Sequence, residues 1–237
     1  MNVALIIAGG SGSRMHQDIP KQFLTVNERP VIVYTMEAFE RHPEIDAIAV
    51  VCIDGWAQVL WAYAKQFNIT KLKYVVPGGE NGQSSIRNGV FELERHFSPD
   101  DLVLIHDAIR PMVSAEIISD CIRVTRAHGN GITAIPCAEA MIWTEDDCVS
   151  SKVYDRAHLK RTQTPQGFRL GDLGQLHRDA LAAGITNSVA SVTLMIEMGR
   201  PVYCSAGSEK NIKLTTVEDL DIFKALLQTR RADWLKE

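Results

Sequence analysis

The sequence lacks the signatures of several large classes of protein. It has no C-x-x-C pair, and its five cysteines are widely spaced, which argues against a structural zinc site or a disulfide framework. No stretch approaches the roughly 20 apolar residues that span a bilayer, and the N-terminal residues lack the basic start of a signal peptide. No internal repeat or low-complexity tract is present. We therefore expect a cytoplasmic protein with reduced thiols and no membrane partner.

An excess of positive charge is also missing. Lysine and arginine number 25 against 29 aspartates and glutamates, which gives a formal net charge of −4. A non-specific nucleic-acid binder needs a basic field to neutralise phosphates, so we expect no nucleic-acid partner. A local basic pocket for a phosphorylated metabolite is compatible with this total. The 237 residues, 46% apolar and 23% charged, are typical of one globular domain.

Short apolar runs alternate along the chain with segments of helical periodicity. In the first such segment, Ile32, Met36 and Phe39 recur at the spacing of one helix face. This alternation predicts an α/β fold with a mostly parallel sheet flanked by helices. The predicted strands are Val3–Ile7, Ala47–Cys52, Leu72–Val76, Leu102–Ile105, Ile132–Ile135 and Val202–Cys204. Seven helices are predicted. The first begins near Pro30, the second spans Ala57–Phe67, and the third and fourth carry the apolar stripes within 86–97 and 117–122. The last three cover 170–183, 188–198 and Glu218–Leu227.

The alternation breaks in the second half of the chain. Residues 138–165 carry no helical stripe, and polar residues there alternate with Met141, Ile142, Trp143 and Val153. We predict a β-arm over about 138–163 that protrudes from a single domain, 1–237.

A glycine-rich turn, A-G-G-S-G-S-R-M at 8–15, directly follows the first predicted strand. Glycines there let the backbone approach a ligand and direct N–H groups at phosphate oxygens, and ligands of open α/β sheets bind at such strand ends. Arg14 and Lys21 add cations. The turn lacks the Lys-Ser/Thr ending of a Walker A loop, and Met15 replaces the third glycine of a dinucleotide fingerprint. The alternative is a surface turn with incidental charges.

The segment Gly78–Ser85 joins another predicted strand to a helix. Ser84 and Ser85 are candidates to cap that helix. Their hydroxyls and the adjacent N–H groups are equally suited to a base or a phosphate, so both readings stay open at this point.

The motif H-D-A-I-R-P at 106–111 ends a further predicted strand. A carboxylate at this edge, that of Asp107, suits a divalent metal that bridges phosphates. Arg110 is a candidate for a structural ion pair with Asp107 or another acid. His106 fits a buried, hydrogen-bonded position as well as a catalytic one. Taken singly, Lys213 is typical of a solvated lysine.

In combination, these segments resemble the cytidylyltransferases that join CTP to a phosphorylated polyol. That family includes the 2-C-methyl-D-erythritol 4-phosphate and ribitol-5-phosphate cytidylyltransferases. Each motif alone is weak, but five occur in register over nearly the whole chain. They are A-G-G-S-G-S-R-M…P-K-Q at 8–22, G-G…S-S-I at 78–86, H-D-A-I-R-P at 106–111, T-P-Q at 164–166 and N-I-K-L-T-T-V-E-D-L at 211–220.

The resemblance implies a Rossmann-like nucleotidyltransferase fold, a homodimer that exchanges its arms, and a reaction of CTP with a polyol phosphate that gives CDP-polyol and pyrophosphate. By position, Arg14 and Lys21 would hold the triphosphate, and Asp107 would contact Mg²⁺ and the ribose or a phosphate. Lys213 would contact the α-phosphate and the acceptor phosphate. The implied positions around the nucleotide are Ala8, Gly9, Gly10, Gly79 and Ser85. The implied positions around the acceptor are Arg156 from a second copy's arm, Thr164, Asp107 and Lys213.

The chemistry is consistent with these residues. The nucleophile is a phosphate oxygen that is already ionised at neutral pH, so the reaction requires no general base. Two polyanions must meet, so catalysis depends on positioning and on cationic charge stabilisation. Arg14, Lys21, Lys213, Arg156 and a metal would supply that charge.

The acceptor side departs from the family pattern. Methylerythritol enzymes usually carry Asp-Thr in the arm and Thr-Asp-Asp/Glu before the late helix, but this chain reads E-A at 139–140 and T-N-S at 186–188. The first turn reads A-G-G rather than A-A-G, and Arg156–Leu159 looks like the ribitol-phosphate branch, although that branch also tends to keep Asp-Thr. The acceptor therefore stays open among methylerythritol phosphate, ribitol 5-phosphate and a related wall or capsule polyol phosphate.

Two other classes of function remain as alternatives. A nicotinamide-dependent reductase would explain the strand–glycine turn–helix start, but the broken fingerprint argues against it. A non-catalytic nucleotide-binding regulator would bind CTP without turnover.

Overall fold

The computed structural model describes residues 1–10 and 19–229, and a seven-stranded sheet forms its centre. The sheet strands are β1 Asn2–Ala8, β4 Ala47–Cys52, β5 Leu72–Pro77, β6 Leu102–Asp107, β7 Asn130–Pro136, β10 Lys160–Arg169 and β11 Cys204–Ala206. Two small hairpins pair β2 Thr25–Val26 with β3 Arg29–Pro30, and β8 Met141–Trp143 with β9 Lys152–Tyr154. The helices are α1 Val31–Glu40, α2 Ala57–Gln66, α3 Gly82–Leu93, α4 Ala115–His128, α5 Leu170–Ala182, α6 Ser191–Glu197 and α7 Val217–Thr229.

The strand order is β11-β7-β10-β6-β1-β4-β5, and every strand except β10 runs in the same direction. The predicted α/β class with a mostly parallel sheet is therefore confirmed. In this order the carboxyl ends of β6, β1, β4 and β5 lie side by side, because Ile7 pairs with Asp107 and Ala8 pairs with Cys52. The turns that follow these strands consequently meet at one edge.

Alternate residues of each central strand pack on opposite faces of the sheet. Ile6 and Val50 face the layer of α1, α2 and α4, whereas Leu5 and Val51 face the layer of α3, α5 and α6. Because both faces are covered, the strands read as continuous apolar runs, which is why the sequence predicted them well. A smaller apolar cluster around Phe223 attaches α7 beside the carboxyl edge. No helix in residues 1–10 and 19–229 is long and apolar enough to cross a membrane.

Strand β10 corrects the sequence prediction. Its first residues were expected to belong to the arm, but Lys160 and Arg161 already pair with β7, and Gln166–Arg169 pairs antiparallel with β6. Between Thr162 and Gln166 the register shifts, and this stretch contains a cis peptide bond at Thr164–Pro165. The Thr133 hydroxyl donates to the Pro165 carbonyl at 2.6 Å. The irregular stretch is thus held inside the sheet.

The predicted arm exists but is shorter than expected. It leaves the sheet after β7 and returns at β10, and at its base the Cys137 N–H donates to the Leu159 carbonyl at 3.3 Å. Between these points lie only the hairpin of β8 and β9 and the short 3-10 turn Arg156–His158. Ile142 and Val153 are 65% and 76% exposed. The arm therefore adds almost nothing to the core of its own chain.

Candidate active site

The first glycine turn is held by a side chain to which the sequence assigned no role. Gln22 is buried, and its side-chain amide donates to the carbonyls of Ala8 at 2.8 Å and Gly10 at 3.0 Å. In a trans peptide the carbonyl and the following N–H point in opposite directions. The Ala8 carbonyl faces Gln22, so the Gly9 N–H points away from it. Gln22 therefore orients the backbone donor at the start of the turn, together with the Ile53 N–H, which donates to the same Ala8 carbonyl at 3.1 Å.

Of the two cations expected beside this turn, one lies in the described part of the chain. Lys21 begins a 3-10 turn, Lys21–Phe23, and is partly buried. Phe23 stacks on Trp56 with ring centroids 4.4 Å apart, which fixes the turn against the end of β4. Arg14, the other predicted cation, falls in residues 11–18, outside the described residues.

The second glycine turn lies directly against the first. The Ser85 hydroxyl accepts a hydrogen bond from the Gly79 N–H at 2.9 Å. A Cβ atom on Gly9 would lie 3.2 Å from that same hydroxyl oxygen, and one on Gly79 would lie 2.4 Å from the Ser84 hydroxyl oxygen. Only glycine fits at position 79 without displacing the turn. The two turns therefore lie in direct contact, and glycine backbone forms this contact on both sides.

The cap of α3 is Asn81, rather than the serines that the sequence suggested. The Asn81 carboxamide oxygen accepts from the Ser84 N–H at 2.8 Å, and the Ser84 hydroxyl accepts from the Asn81 N–H at 2.9 Å. This reciprocal pair is a capping box. Ser84 contributes to it as the third helical residue, which leaves Ser85 as the serine that supports the glycine turn.

A cluster of charged side chains occupies the next part of the edge. Asp107 ends β6, and its Oδ2 lies 3.1 Å from the Lys213 Nζ and 3.2 Å from the Arg110 Nε. Burial alone would raise the pKa of Asp107, but the Lys213 and Arg110 charges outweigh it and hold the pKa below its usual range. The predicted Arg110–Asp107 ion pair is present. Lys213 is more exposed than Asp107, 42% against 22%, so its ammonium group is accessible from the edge.

The loop that carries Lys213 is fixed through buried amides. Asn211 is fully buried, and its side-chain amide donates to the Thr164 carbonyl at 2.8 Å. The backbone carbonyl of Asn211 accepts from the Arg110 guanidinium at 2.7 Å. The Leu214 N–H donates to the Ile109 carbonyl at 2.9 Å. These contacts bracket Lys213 on both sides. They explain how a lysine remote in sequence from Asp107 lies beside it.

His106 occupies a buried, hydrogen-bonded position, as one of the two sequence readings proposed. Its Nδ1 lies 3.0 Å from the Thr164 hydroxyl and its Nε2 lies 3.1 Å from the Arg110 carbonyl. Burial lowers the pKa of His106 to about 4, so the ring is neutral at pH 7. Both ring nitrogens are engaged, which leaves His106 poorly suited to act as a general base.

Thr164 connects β10 to this cluster. Its hydroxyl contacts His106 and also accepts from the Asp107 N–H at 3.1 Å. The side chain is buried and faces β6. Thr164 therefore contacts the charged cluster directly, and its contact with the acceptor stays a prediction.

Arg156 lies apart from the charged cluster within one chain. It is exposed on the 3-10 turn of the arm and donates to the Ala138 carbonyl at 2.9 Å. It forms no ion pair with a described acidic residue. The structure thus brings together Ala8, Gly9, Gly79 and Ser85 on one side and Asp107, Thr164 and Lys213 on the other, and leaves Arg156 on the arm.

The acidic and metal-ligating side chains are sparse at this edge. In residues 1–10 and 19–229, no group of three or more histidine, cysteine, aspartate or glutamate side chains is positioned to hold a metal ion. Asp107 is the carboxylate that ends a central strand here. Among the residues that the structure describes, Asp107 is therefore the candidate metal ligand at this edge.

Comparison with known proteins gives consistent matches over the full length of the chain. Residues 2–229 match the family model described as 2-C-methyl-D-erythritol 4-phosphate cytidylyltransferase. Ribitol-5-phosphate cytidylyltransferase of Lacticaseibacillus paracasei is 43% identical over 97% of this chain and 99% of that protein. 2-C-methyl-D-erythritol 4-phosphate cytidylyltransferase of Geotalea uraniireducens is 32% identical over 95% and 96%.

A solved structure matches equally broadly. The crystal structure of 4-diphosphocytidyl-2C-methyl-D-erythritol synthase from Anaerococcus prevotii superposes with a TM-score of 0.81 at 27% identity, over 96% of each chain.

Proposed function

The chain belongs to the 2-C-methyl-D-erythritol 4-phosphate cytidylyltransferase family, and from this premise we propose that its acceptor is ribitol 5-phosphate. The enzyme is a nucleotidyltransferase that uses CTP to cytidylylate a polyol phosphate. The observation that carries the choice of acceptor is the identity of 43% to a ribitol-5-phosphate enzyme, against 32% to a methylerythritol enzyme. The ribitol-like sequence Arg156–Leu159 supports the same choice.

In the proposed reaction, a phosphate oxygen of the acceptor attacks the α-phosphorus of CTP. The bond between that phosphorus and the oxygen bridging to the β-phosphate breaks, and pyrophosphate leaves with the electron pair. The acceptor phosphate is already ionised, so no proton has to be removed. The neutral, doubly hydrogen-bonded His106 and the paired Asp107 fit a site without a general base.

The chain contributes position and charge. We assign cytidine to the cleft formed by Ala8, Gly9, Gly10, Gly79 and Ser85. The Gly9 N–H, which points away from Gln22, and the Ser85 hydroxyl, which accepts from the Gly79 N–H and keeps its own proton, offer hydrogen-bonding groups there. We assign the triphosphate to Lys21 and Arg14. Lys213 neutralises the charge that develops at the α-phosphorus and draws the acceptor phosphate toward it, because its ammonium group is exposed at the edge while Asp107 orients it.

We propose Asp107 as a protein ligand of a Mg²⁺ ion. Mg²⁺ is commonly held by one or two carboxylates together with substrate phosphates and water, so a single ionised carboxylate fits. The pKa of Asp107 is lowered despite burial, which keeps the carboxylate ionised. When bound, the ion would neutralise phosphate charge during transfer. Lys213 and Arg110 would then hold the Asp107 carboxylate in position, and the metal ion would share with them the neutralisation of its charge.

We further propose a homodimer in which the arm of each chain completes the other's site. The exposed apolar side chains of the arm lack a core of their own: Met141, Ile142, Val153 and Tyr154 are 42%, 65%, 76% and 50% exposed. Arg156, at the end of this arm, would bind the acceptor phosphate in the neighbouring site. A cytoplasmic location also stays part of the proposal, since all five cysteines are unpaired.

The test of the proposed function is a pyrophosphate-release assay with CTP against a panel of polyol phosphates. We expect ribitol 5-phosphate to give the highest kcat/KM, with CDP-ribitol identified as the product. Preference for methylerythritol phosphate would overturn the proposed acceptor but leave the proposed reaction intact. Binding of CTP with no turnover on any acceptor would support a regulator instead, and NADH oxidation without pyrophosphate release would support a reductase.

Mixed dimers test the contribution of the arm. Arg156→Ala should weaken use of the acceptor and spare CTP affinity, and Lys21→Ala should disable the site in its own chain. A mixture that contains heterodimers of the two variants should regain activity, because one of its two sites carries both Lys21 and Arg156. Absence of recovery in a confirmed heterodimer would place Arg156 outside the neighbouring site.

A further inference from the structure

Two amide side chains at the start of α3 hold a distant loop, and neither contact is needed to form the helix. Gln83 is 3% exposed. Its Nε2 donates to the Ile185 carbonyl at 2.7 Å, and its Oε1 accepts from the Ser188 N–H at 2.7 Å. Asn81 caps α3 through its oxygen, and its Nδ2 donates to the Thr186 carbonyl at 3.1 Å. Segment 185–188 is therefore attached to the glycine turn through its backbone.

The same loop is tied to the other half of the site at its far end. Gln166, which lies in β10 two residues after Thr164, accepts from the Val192 N–H at 3.1 Å through its Oε1. The Ser188 hydroxyl also donates to the Glu197 carboxylate on α6. Segment 185–188 and the start of α6 thus bridge the glycine turn and the β10 bulge. Thr186 and Asn187 are the exposed polar residues of this bridge.

We propose that Asn81 and Gln83 are positioning residues that fix segment 185–188 as the wall between the cytidine cleft and the acceptor. This inference rests on the proposed function. The bonds go to backbone groups, so they set where the segment lies irrespective of its side chains. Ordering of the glycine turn by CTP is thereby transmitted to the acceptor side. Loss of the bonds should weaken acceptor use far more than CTP use.

The variants separate this role from helix capping. Asn81→Ser retains a neutral cap residue but removes the donor that reaches Thr186. Asn81→Asp also retains the cap, and agreement between the two variants excludes an effect of the added charge. Gln83→Met keeps the side-chain length and removes both bonds to the segment. The matched control is Gln175→Met, because Gln175 lies exposed on α5, where its side chain donates a hydrogen bond to Asp179 at 2.7 Å.

The first readout is a separation of the two Michaelis constants. We expect Asn81→Ser to raise KM for ribitol 5-phosphate about fivefold and Gln83→Met to raise it about tenfold, with KM for CTP changed less than about twofold. Gln83→Met leaves the buried Ser188 N–H without its partner, so its melting temperature should fall. The test is therefore the ratio of the two KM values: an equal rise in both would show a merely structural role and overturn the proposal.

The second readout does not require turnover. Hydrogen exchange of peptides covering 183–192 should be faster in Gln83→Met than in Gln175→Met, and addition of CTP should slow it in the parent protein but not in Gln83→Met. Unchanged exchange in Gln83→Met, or CTP protection that survives this change, would overturn the proposal. If the parent transfers cytidylyl to no polyol phosphate, the proposed function fails, and the exchange result still decides whether the two amides couple the turn to the segment.

Discussion

The two halves of the candidate site are built from different materials. The half at the ends of β1 and β5 is made of glycine backbone, and neutral side chains such as Gln22, Asn81 and Ser85 hold it. The half at the end of β6 is made of charged side chains, with Asp107 between Lys213 and Arg110. Both halves lie at one edge of the same sheet.

The difference suggests how the enzyme would treat its two substrates. A base is recognised by shape and by hydrogen bonds, which a rigid, uncharged cleft supplies at fixed positions. Phosphates need compensating charge, and isolated charges are costly to bury. In this chain Lys213 and Arg110 are both paired with Asp107. Substitutions in the two halves should therefore change different kinetic parameters.

The largest effect is expected in the charged half. Lys213→Ala should lower kcat/KM on the order of 10²-fold, the scale of losing one charge-stabilising donor. The loss should fall mainly on kcat, because the interaction is strongest when charge develops at the α-phosphorus. Lys210→Ala is the matched control, since Lys210 lies exposed in the same loop. Near-parental activity of Lys213→Ala would remove the charged half from the mechanism.

A smaller effect, of a different kind, is expected in the glycine half. In Gly79→Ala the new Cβ would lie 2.4 Å from the Ser84 hydroxyl oxygen, so the turn must shift. We expect KM for CTP to rise about tenfold, with kcat less affected. Gly82→Ala is the control, because its Cβ would meet nothing within 4 Å. Equal kinetics of Gly79→Ala and the parent would show that the cleft does not bind the nucleotide.

Substitution of Gln22, which orients the first glycine turn, should have a smaller effect on KM for CTP than Gly79→Ala. Gln22→Met keeps the volume of the buried side chain but loses both donations to the Ala8 and Gly10 carbonyls. We expect KM for CTP to rise about fivefold. Gln22→Glu should be worse, because a carboxylate would face two carbonyls. A change in acceptor KM alone would break the assignment of Gln22 to the nucleotide half.

The least effect on activity at neutral pH is expected from His177, which belongs to neither half. Burial, with a lesser contribution from Arg87, lowers the pKa of His177 to about 4, and burial also lowers the pKa of His106 to about 4. The unfolded chain binds these protons near pH 6.5 and the folded chain only near pH 4. The free energy of unfolding should therefore fall as the pH decreases through this window, by on the order of 3 kcal/mol for each histidine.

His177→Leu isolates one of these contributions. The ring nitrogens of His177 have no hydrogen-bond partner among the described residues, so a leucine loses no bond there. Urea unfolding between pH 7 and pH 4 should show a shallower decline for His177→Leu, with kcat unchanged at pH 7. An identical decline in parent and variant would show that His177 is not the group that titrates.

The sheet was predictable because its central strands are apolar over their whole length. Ala47–Cys52 is the clearest example, since the predicted and observed bounds agree. Strand β10 was missed for the opposite reason. Lys160–Arg169 reads K-R-T-Q-T-P-Q-G-F-R, which has no alternation and includes a proline that normally argues against a central strand. The bulge accommodates this proline, and the Thr133 hydroxyl satisfies its carbonyl.

In the candidate site, too, some features were predictable from the sequence and others were not. Motifs that follow apolar strands are recognisable from the sequence, because the end of an apolar run marks the end of a strand in a parallel sheet. Gln22, Gln83 and Asn211 were not predicted as positioning groups, although Gln22 and Asn211 stand in the recognised motifs at 8–22 and 211–220. An isolated amide carries no periodic signal, and its partners here are backbone groups distant in sequence.

By itself, the sequence determined the alternation of apolar strands with helices and the glycine turns at the carboxyl edge, because apolar periodicity and turn chemistry act over a few neighbouring residues. It also carried the family motifs from which the chemistry was inferred. Only the tertiary structure decided that β10 enters the sheet between β6 and β7, that Lys213 lies beside Asp107, and that Arg156 lies on an arm apart from both. These arrangements depend on hydrogen bonds and charges between segments far apart in the chain, whose energies exist only once the sheet has brought the segments together.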